Sequence, residues 1–275
     1  MKKYIPLHVH SMYSLLDGLS KPEQIADRCE EIEVKSCALT DHGNIAGAIK
    51  FYAAMKKKGI KPILGCELYI SDNDATIKEK ENRSLTHFLV LAKNYEGWRN
   101  LIRIVSESNR PEHYYFKPRL DLKKLGEMMD GNMIGICGHL GSTLAAKLMD
   151  DDTIISDWKK VGTNCINQYK DIFGKENFFL ESQLMDKDNL PIQSHLTDCI
   201  RELSHLTETK TICTPDAHYC RKSDAVDQRV LLCNNIKTTF PEINRKLSVD
   251  ESVPMGCFFT SDNFHILSQE EIREL

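Results

Sequence analysis

The strongest constraint on the fold is an alternation of short apolar runs with strand spacing and longer segments with helix spacing. Seven runs are predicted as strands, at 4–10, 34–40, 61–70, 86–92, 132–137, 177–182 and 210–214. Helical patterns cover 20–33, 45–58, 95–108, 121–129, a short segment from Ser142, 153–173, 190–205 and 223–235. Strands that alternate with helices are expected to pair in parallel, and seven such units favour a closed β/α barrel over a doubly wound sheet.

Length and composition limit the class of protein. A chain of 275 residues can bury the core of one large α/β domain. Its net charge of −4, from 36 basic and 40 acidic residues, excludes a bulk positive field, so any affinity for phosphate must be local. The ten cysteines form no Cys-x-x-Cys pair and are predicted to be reduced thiols. Without an apolar stretch of membrane-spanning length, we expect a cytoplasmic protein with no membrane partner.

Side chains that can bind metals stand next to the predicted strands. His8 and His10 are two positions apart, so in an extended strand their imidazoles point to the same side. An isolated His-x-His is equally well explained by two unrelated surface histidines. Further metal-competent residues favour a shared site, because the loops after barrel strands gather at one mouth. They are His42, Glu67, His87, His139, Asp216 and His218, of which His87 opens its strand and fits this rule less well.

The donor types indicate which metals would bind. Histidine and carboxylate ligands without paired cysteines suit zinc, manganese or iron. The donors exceed the needs of one ion, so we predict two or three divalent metal ions. Such a centre suits hydrolysis of a phosphate ester, because the metals polarise the phosphoryl group and supply a nucleophile at neutral pH.

Six motifs carry a resemblance to a known family. They are His-Val-His-Ser-Met-Tyr-Ser-Leu-Leu-Asp-Gly at 8–18, Leu-Thr-Asp-His-Gly-Asn at 39–44, Lys-Pro-Ile-Leu-Gly-Cys-Glu at 61–67, His-Phe-Leu-Val-Leu-Ala-Lys-Asn at 87–94, Tyr-Phe-Lys-Pro-Arg at 115–119 and Asp-Ala-His-Tyr at 216–219. Together they resemble the polymerase-and-histidinol-phosphatase (PHP) domain, and more narrowly the one in bacterial C-family replicative DNA polymerases. The resemblance implies a PHP domain over 1–240 and, over 241–275, an extension similar to the family's lead-in to the polymerase palm.

The resemblance also implies a distorted seven-stranded barrel of the PHP type with a trinuclear metal cleft. Glu67 would bridge a first metal to a second, and a separate set of ligands would hold a third metal. The implied ligands are His8, His10 and Asp216 for the first metal, His87 and His139 for the second, and Asp17, His42 and His218 for the third. All nine positions hold metal-competent side chains here, whereas many relatives have lost several, so the site is predicted to be chemically intact.

Three other groups near these motifs admit more than one interpretation. Arg119 is predicted to clamp a phosphate, because a fixed guanidinium binds it with two hydrogen bonds; a solvated pair with Lys117 is the alternative. With Glu67 and Asp216, Arg119 completes the predicted catalytic set. The aromatic residues 114–116 either pack their loop or stack on a base of single-stranded DNA. Asp41 either supports a metal ligand or caps the following helix.

The leading function implied by the resemblance is a 3′–5′ exonuclease that proofreads a DNA primer end within a replicative polymerase. Its partners would be the single-stranded primer 3′ end, the rest of the polymerase and other replisome subunits. Three divalent ions would bring about +6 against −3 from three carboxylates, so the local field can attract DNA. The alternatives are a small-molecule phosphatase of the histidinol-phosphate type and a non-catalytic, metal-stabilised scaffold that binds a proofreading subunit.

Overall fold

The computed structural model describes residues 4–183, 190–249 and 251–274. The strands are β1 (Ser36–Leu39), β2 (Lys61–Ser71), β3 (Thr86–Ala92), β4 (Tyr114–Tyr115), β5 (Lys117–Asp121), β6 (Met133–Cys137), β7 (Met149–Asp150), β8 (Thr153–Ile154), β9 (Phe178–Gln183) and β10 (Thr211–Thr214). The helices are α1 (Pro22–Glu31), α2 (Ala48–Lys57), α3 (Tyr95–Ser108), α4 (Leu122–Glu127), α5 (Thr143–Leu148), α6 (Trp158–Phe173), α7 (Pro191–Thr207), α8 (Ala225–Asn235), α9 (Phe240–Leu247), α10 (Cys257–Thr260) and α11 (Gln269–Glu274). The predicted alternation of strands and helices is therefore present.

The main sheet curls until its two edges meet across the N-terminal segment. Its strands follow the order β10-β9-β6-β3-β2-β1, with β5 and β4 attached to the far end of β2. Residues 6–10 lie between β1 and the end of β10. Ala38 N and Thr40 N donate to carbonyl groups of this segment at 2.8 and 2.9 Å, and Ala217 exchanges two backbone hydrogen bonds with its other side at 2.7 and 3.0 Å. The mixed α/β fold is thus a distorted barrel of seven chain segments, as predicted.

Two strands depart from the expected geometry. The predicted first strand at 4–10 forms only an isolated bridge, between Val9 and Ala217, in place of a regular ladder. β3 runs antiparallel to both β2 and β6, whereas the β1–β2, β6–β9 and β9–β10 pairs are parallel as expected. A parallel pair needs a crossover, usually a helix, that returns the chain to its starting end. Residues 72–85 contain only the short 3₁₀ turn Lys80–Asn82, so the chain re-enters the sheet from the end at which β2 finishes.

The strands divide their side chains between the barrel interior and a shell of helices, following the two-residue period of extended chain. In β3, Leu89 and Leu91 belong to the interior cluster. Phe88 points outward, where its ring stacks on Phe173 of α6 with centroids 5.3 Å apart. His87 lies two positions before Leu89 and therefore faces the same side of the sheet. Because β3 runs in the reverse direction, His87 lies at the barrel mouth.

Two expectations from composition concern cysteines and membrane spans. All ten cysteines lie in the described ranges as free thiols, and most are buried. The seven buried ones act as small apolar side chains of the core, as predicted, whereas Cys213 is exposed. Among the described helices, the longest being α7 with 17 residues, none combines the length and apolar character needed to cross a bilayer.

The C-terminal extension packs directly on the barrel. Phe264 O accepts a hydrogen bond from His218 N at 2.7 Å, and Ile266 N donates to Tyr219 O at 3.1 Å. The Ile266 side chain is buried in the same cluster as Ile25 of α1. A domain boundary at residue 240 remains a prediction, but the described part of the extension shares the core of the barrel.

The predicted phosphate clamp at Arg119 is wrong. The residue is fully buried, and its guanidinium donates to three backbone carbonyl groups of the loop between β2 and β3. The acceptors are Ala75 O at 3.0 Å, Asn82 O at 2.5 Å and Ile77 O at 2.6 Å. Because its donors are engaged inside the protein, Arg119 cannot contact a substrate, and it instead fixes the loop to β5.

Replacing Arg119 by methionine should destabilise the fold strongly. The variant leaves three carbonyl groups without their donor, so we expect a loss of about 3–5 kcal/mol in the free energy of unfolding. Urea denaturation followed by circular dichroism measures it. Arg99→Met is the matched control, because Arg99 is exposed and, among the described residues, pairs only with Glu96 on the same helix. This variant should cost less than about 0.5 kcal/mol. Equal losses in the two variants would contradict this structural role.

Candidate metal centre

The structure brings all nine predicted ligands to one mouth of the barrel. His8 and His10 come from the closing segment, Glu67 lies inside β2, and the others come from the ends of strands or from the loops that follow them. The reversed direction of β3 explains why His87, near the start of its strand, reaches the same mouth. Six of the nine line a single cavity of about 270 Å³: Asp17, His42, His87, His139, Asp216 and His218.

Glu67 lies at the centre of the cluster. Its carboxylate is buried, with 1% of the residue exposed, and each oxygen faces more than one imidazole. Oε1 lies 3.0 Å from His139 Nε2, 3.1 Å from His87 Nδ1 and 3.4 Å from His8 Nε2. Oε2 lies 2.7 Å from His42 Nδ1 and 3.3 Å from His10 Nε2. A carboxylate in this position can serve two cations at once.

The remaining two carboxylates extend the cluster on either side. Asp216 Oδ1 lies 3.1 Å from His8 Nε2 and 3.3 Å from His10 Nε2. Asp17 Oδ2 lies 3.0 Å from His42 Nε2 and 3.5 Å from His218 Nε2. Four triads have donor atoms within 4.8 Å of one another: His8–His10–Asp216, His8–Glu67–His139, His42–Glu67–His87 and His10–His42–His218. Overlapping triads are the geometry needed to hold adjacent ions.

Orphaned polar atoms test whether these residues fit metal ions. Buried side-chain nitrogen and oxygen atoms normally have hydrogen-bond partners. In the described part of the chain, eight of the eleven such atoms without a partner belong to the predicted ligands. They are Nε2 of His8, His10, His139 and His218, Nδ1 of His42, and one oxygen each of Asp17, Glu67 and Asp216. These atoms face the cleft, as atoms that coordinate cations would.

The hydrogen bonds behind the histidines fix which nitrogen is available. Nδ1 of His8 lies 2.7 Å from Glu181 Oε1, and Nδ1 of His139 lies 2.8 Å from Glu181 Oε2. Nδ1 of His218 lies 2.8 Å from the carbonyl oxygen of Asp216. Each acceptor keeps the proton on Nδ1, so the lone pair of Nε2 points into the cleft, the tautomer that binds a metal.

Asp41 supports the cluster through serine hydroxyls, which decides between its two predicted roles. Its carboxylate accepts from Ser11 N at 2.7 Å and from Ser14 Oγ at 2.8 Å. Because the Ser14 hydroxyl donates to Asp41, its oxygen accepts from Nδ1 of His10 at 2.9 Å and from His42 N at 3.1 Å. Asp41 therefore orients two predicted ligands.

Glu181 is the residue that sequence reasoning missed. It is fully buried in β9, holds two histidines, and also accepts from Thr214 Oγ1. A detectable signal existed, because a glutamate inside an apolar predicted strand needs a buried partner. Its partners are far away in sequence, however, so the signal could not identify them.

Opposite charges outweigh burial at His139, Glu181 and Glu67, whereas burial lowers the pKa of the His87 imidazole. Burial disfavours the charged form of His139, but the Glu181 carboxylate raises the pKa of its imidazole to about 9. Burial alone would raise the pKa of the Glu181 carboxyl, yet the two imidazoles that it holds lower this pKa to about 2. Burial likewise opposes ionisation of Glu67, and the imidazoles of His87 and His42 keep its pKa well below the usual range. Protons and divalent cations therefore compete for the same buried atoms.

An apolar wall closes one side of the cleft. The C-terminal extension contributes Met255, Phe258 and Phe264, and Leu140 lies among the lining residues. The Phe258 ring lies edge-on to His218 with centroids 4.7 Å apart, and it stacks on Phe264 at 4.0 Å. This wall was not predicted from sequence, and it limits the access of water to the cluster.

The chain resembles known proteins over its whole length. A family model described as PHP domain matches residues 6–184. DNA polymerase III subunit alpha of Helicobacter pylori (strain 26695) is 34% identical over 282 residues, which cover 100% of this chain and 22% of that protein. The same subunit of Treponema pallidum is 32% identical over 99% of this chain and 22% of that protein. The subunit of Thermus aquaticus is 31% identical over 99% of this chain and 21% of that protein. The chain spans about a fifth of the length of these relatives.

Two solved structures are also similar. An amidohydrolase from Chromobacterium violaceum with bound sulfate and no metal has a TM-score of 0.49 and 15% identity, covering 78% of this chain and 87% of that one. The other is a two-domain protein from Bacteroides vulgatus, described as containing a predicted PHP-like metal-dependent phosphoesterase. It has a TM-score of 0.44 and 15% identity, and the match covers 78% of this chain and 52% of that one.

Glu181→Gln should weaken metal binding without removing a predicted ligand. An amide offers one acceptor oxygen in place of two, so one of the two histidines loses the group that holds its proton on Nδ1. We expect a loss of about 10–100-fold in affinity for zinc or manganese, measured by competition with a chromogenic chelator. The control is Glu176→Gln, an exposed residue just before the same strand. Equal affinity in the two variants would exclude a positioning role for Glu181.

Removing metals should lower the melting temperature. A ligand that binds only the folded state at a hundredfold excess over its Kd stabilises by about 2.7 kcal/mol. For a chain of this size, we expect chelation to lower Tm by about 5 °C in differential scanning calorimetry. Asp17→Asn should reduce the metal-dependent shift less than Glu67→Gln, because Asp17 contacts only one edge of the cluster. A melting temperature that chelation leaves unchanged would refute metal binding at this mouth.

Proposed function

This chain belongs to the PHP domain family, and we propose that its barrel mouth is a metal-dependent phosphoesterase site that hydrolyses phosphodiester bonds in DNA. The observation that carries the proposal is the set of orphaned nitrogen and oxygen atoms around Glu67. Structural roles for buried polar groups require hydrogen-bond partners, whereas these atoms make no hydrogen bond among the described residues. They are instead turned towards one focus, where His42 Nδ1 lies only 2.7 Å from Glu67 Oε2. Their arrangement supports a complete ligand set for cations.

The donor set favours two or three divalent ions. Histidine nitrogen and carboxylate oxygen are borderline to hard ligands, which suit zinc, manganese or iron. Three sets of residues would hold them: His8, His10, Glu67 and Asp216; Glu67, His87 and His139; and Asp17, His42 and His218. When bound, such ions supply a Lewis acid that polarises the phosphoryl group and stabilises charge on the leaving oxygen.

The chain's own residues prepare the site in three ways. Glu181 keeps protons on Nδ1 of His8 and His139, so that both Nε2 atoms face the substrate side. Asp41 does the same for His10 through the Ser14 hydroxyl. The wall formed with Phe258 excludes water from one side, which strengthens electrostatic interactions with a bound phosphate.

We propose DNA as the substrate because of the similarity to polymerase subunits. The matched relatives bear the name DNA polymerase III subunit alpha, and the similarity extends through the C-terminal extension. A cleft of about 270 Å³ closed on one side suits a chain end better than a continuous duplex. The proposed activity is therefore a cytoplasmic 3′–5′ exonuclease that acts on a single-stranded primer end and proofreads for a polymerase and its replisome partners.

Hydrolysis of labelled DNA tests this function. With zinc or manganese, the chain should release mononucleotides at once from a 3′-labelled strand and shorten a 5′-labelled strand in single steps. Glu67→Gln should lower the rate by more than about 100-fold, beyond the loss usual for a residue behind a ligand, because Glu67 contacts five imidazoles. Glu176→Gln should retain the wild-type rate.

The same assay separates the alternatives. Hydrolysis of histidinol phosphate without hydrolysis of a 3′-recessed primer or a single strand would assign a small-molecule phosphatase. Metal binding by elemental analysis without hydrolysis of any of these substrates would assign a scaffold. An unchanged rate in Glu67→Gln, with metal content intact, would contradict the two-metal arrangement.

A further inference from the structure

The turn between β4 and β5 presents an aromatic side chain to solvent beside the cleft. Phe116 is 59% exposed, and its backbone adopts a positive φ of 61°. A bulky residue rarely occupies this left-handed region, and the strain is usually offset by packing or by a function. The Phe116 ring meets the Tyr115 ring edge-on with centroids 4.7 Å apart, yet most of its surface remains exposed. Its neighbour Tyr115, in contrast, stacks near the buried Arg119 at 5.0 Å and holds the hairpin in place.

Two cations accompany the exposed ring. The Arg83 guanidinium lies 4.2 Å from the Phe116 ring centroid, in a cation–π contact. The Lys117 ammonium lies 5.1 Å from the Tyr69 ring centroid and donates to Tyr69 Oη at 3.3 Å. Neither cation forms an ion pair within the described ranges. In a chain with a net charge of −4, these are two positive groups left available for a phosphate backbone.

Tyr69 connects this hairpin to the predicted ligands. Its ring lies 5.1 Å from the His87 ring and 5.7 Å from the His42 ring, and Lys117 also contacts it. The hairpin also packs directly on the loop of His42. A Cβ at Gly43, whose φ is +61°, would lie only 2.8 Å from Pro118 Cγ. The hairpin is therefore fixed against the edge of the cleft.

We propose that Arg83, Phe116 and Lys117 form a platform that binds single-stranded DNA next to the nucleotide in the cleft; this inference rests on the proposed function. Aromatic side chains that stack on bases, beside cations that follow the backbone, characterise binding of single strands without sequence preference. Phe116 offers exposed ring surface, which an unpaired base can cover and a base-paired duplex cannot. The platform would hold the strand that leads into the metal centre.

Binding of a fluorescent oligothymidylate to metal-stripped protein tests the platform without cleavage. Phe116→Ala should weaken binding by about 5- to 150-fold in fluorescence anisotropy, the loss of one base stack. Lys117→Ala should reduce the slope of log K against log salt concentration by about 0.7, the loss of one phosphate contact. Tyr95→Ala is the matched control, an aromatic residue that is 72% exposed just beyond the opposite end of β3, and it should bind like the wild type. If Phe116→Ala binds the oligonucleotide as tightly as the wild type, the platform is overturned, and the exposed Phe116 ring of the wild type would be left for contact with a protein partner.

A small diester separates this inference from the proposed function. Bis(p-nitrophenyl) phosphate can enter the metal centre but is too short to reach the hairpin. The ratio of kcat/KM for the oligonucleotide to kcat/KM for this diester should fall in Phe116→Ala and Lys117→Ala and stay constant in Tyr95→Ala. A wild-type chain that hydrolyses the diester but no DNA contradicts the proposed function. A constant ratio in all variants, with DNA hydrolysed, contradicts the platform alone.

Discussion

The burial of one carboxylate governs the organisation of this barrel mouth. Glu67 lies inside the barrel with both oxygens among imidazoles, and a charge there is costly unless opposite charges or strong hydrogen bonds surround it. Five histidines from four segments of the chain meet this need, and each must approach within about one hydrogen-bond length. The closing segment at 6–10, the reversed β3 and the loop after β6 all place side chains around this single group.

A second layer of acids fixes the orientation of the first. Glu181 and Asp41 are as inaccessible as the predicted ligands, but they contact Nδ1 atoms or serine hydroxyls and not the cleft. Their hydrogen bonds turn the ring nitrogens in a common direction before any cation arrives. Preorganisation of this kind reduces the free-energy cost of ordering the site on binding. The chemistry proposed here depends as much on these two acids as on the nine predicted ligands.

The two cations of the Tyr-Phe-Lys-Pro-Arg motif show how location changes the role of a charge. Arg119 faces the protein and satisfies three carbonyl groups of a loop that has little apolar surface of its own. Lys117, two residues earlier, faces the cleft edge and remains exposed beside Tyr69. A regular strand would place residues two positions apart on the same side, so the two-residue period of β5 does not account for the different surroundings of Lys117 and Arg119. Charge and spacing in the sequence could not assign the inner and outer roles, since the inner acceptors are backbone groups some forty residues away.

The sequence by itself determined helices α1–α8 and six of the ten described strands, and it predicted which metal-competent side chains gather at the barrel mouth, because these follow from local periodicity and the chemistry of side chains. The tertiary structure alone decided the antiparallel direction of β3, the irregular closure by residues 6–10, and the roles of Glu181, Asp41 and Arg119. Each depends on a partner distant along the chain; His8 and Glu181, for example, are separated by 173 positions. Local patterns report which side chains face inward, whereas the pairing of two inward groups is fixed only when the barrel closes around them.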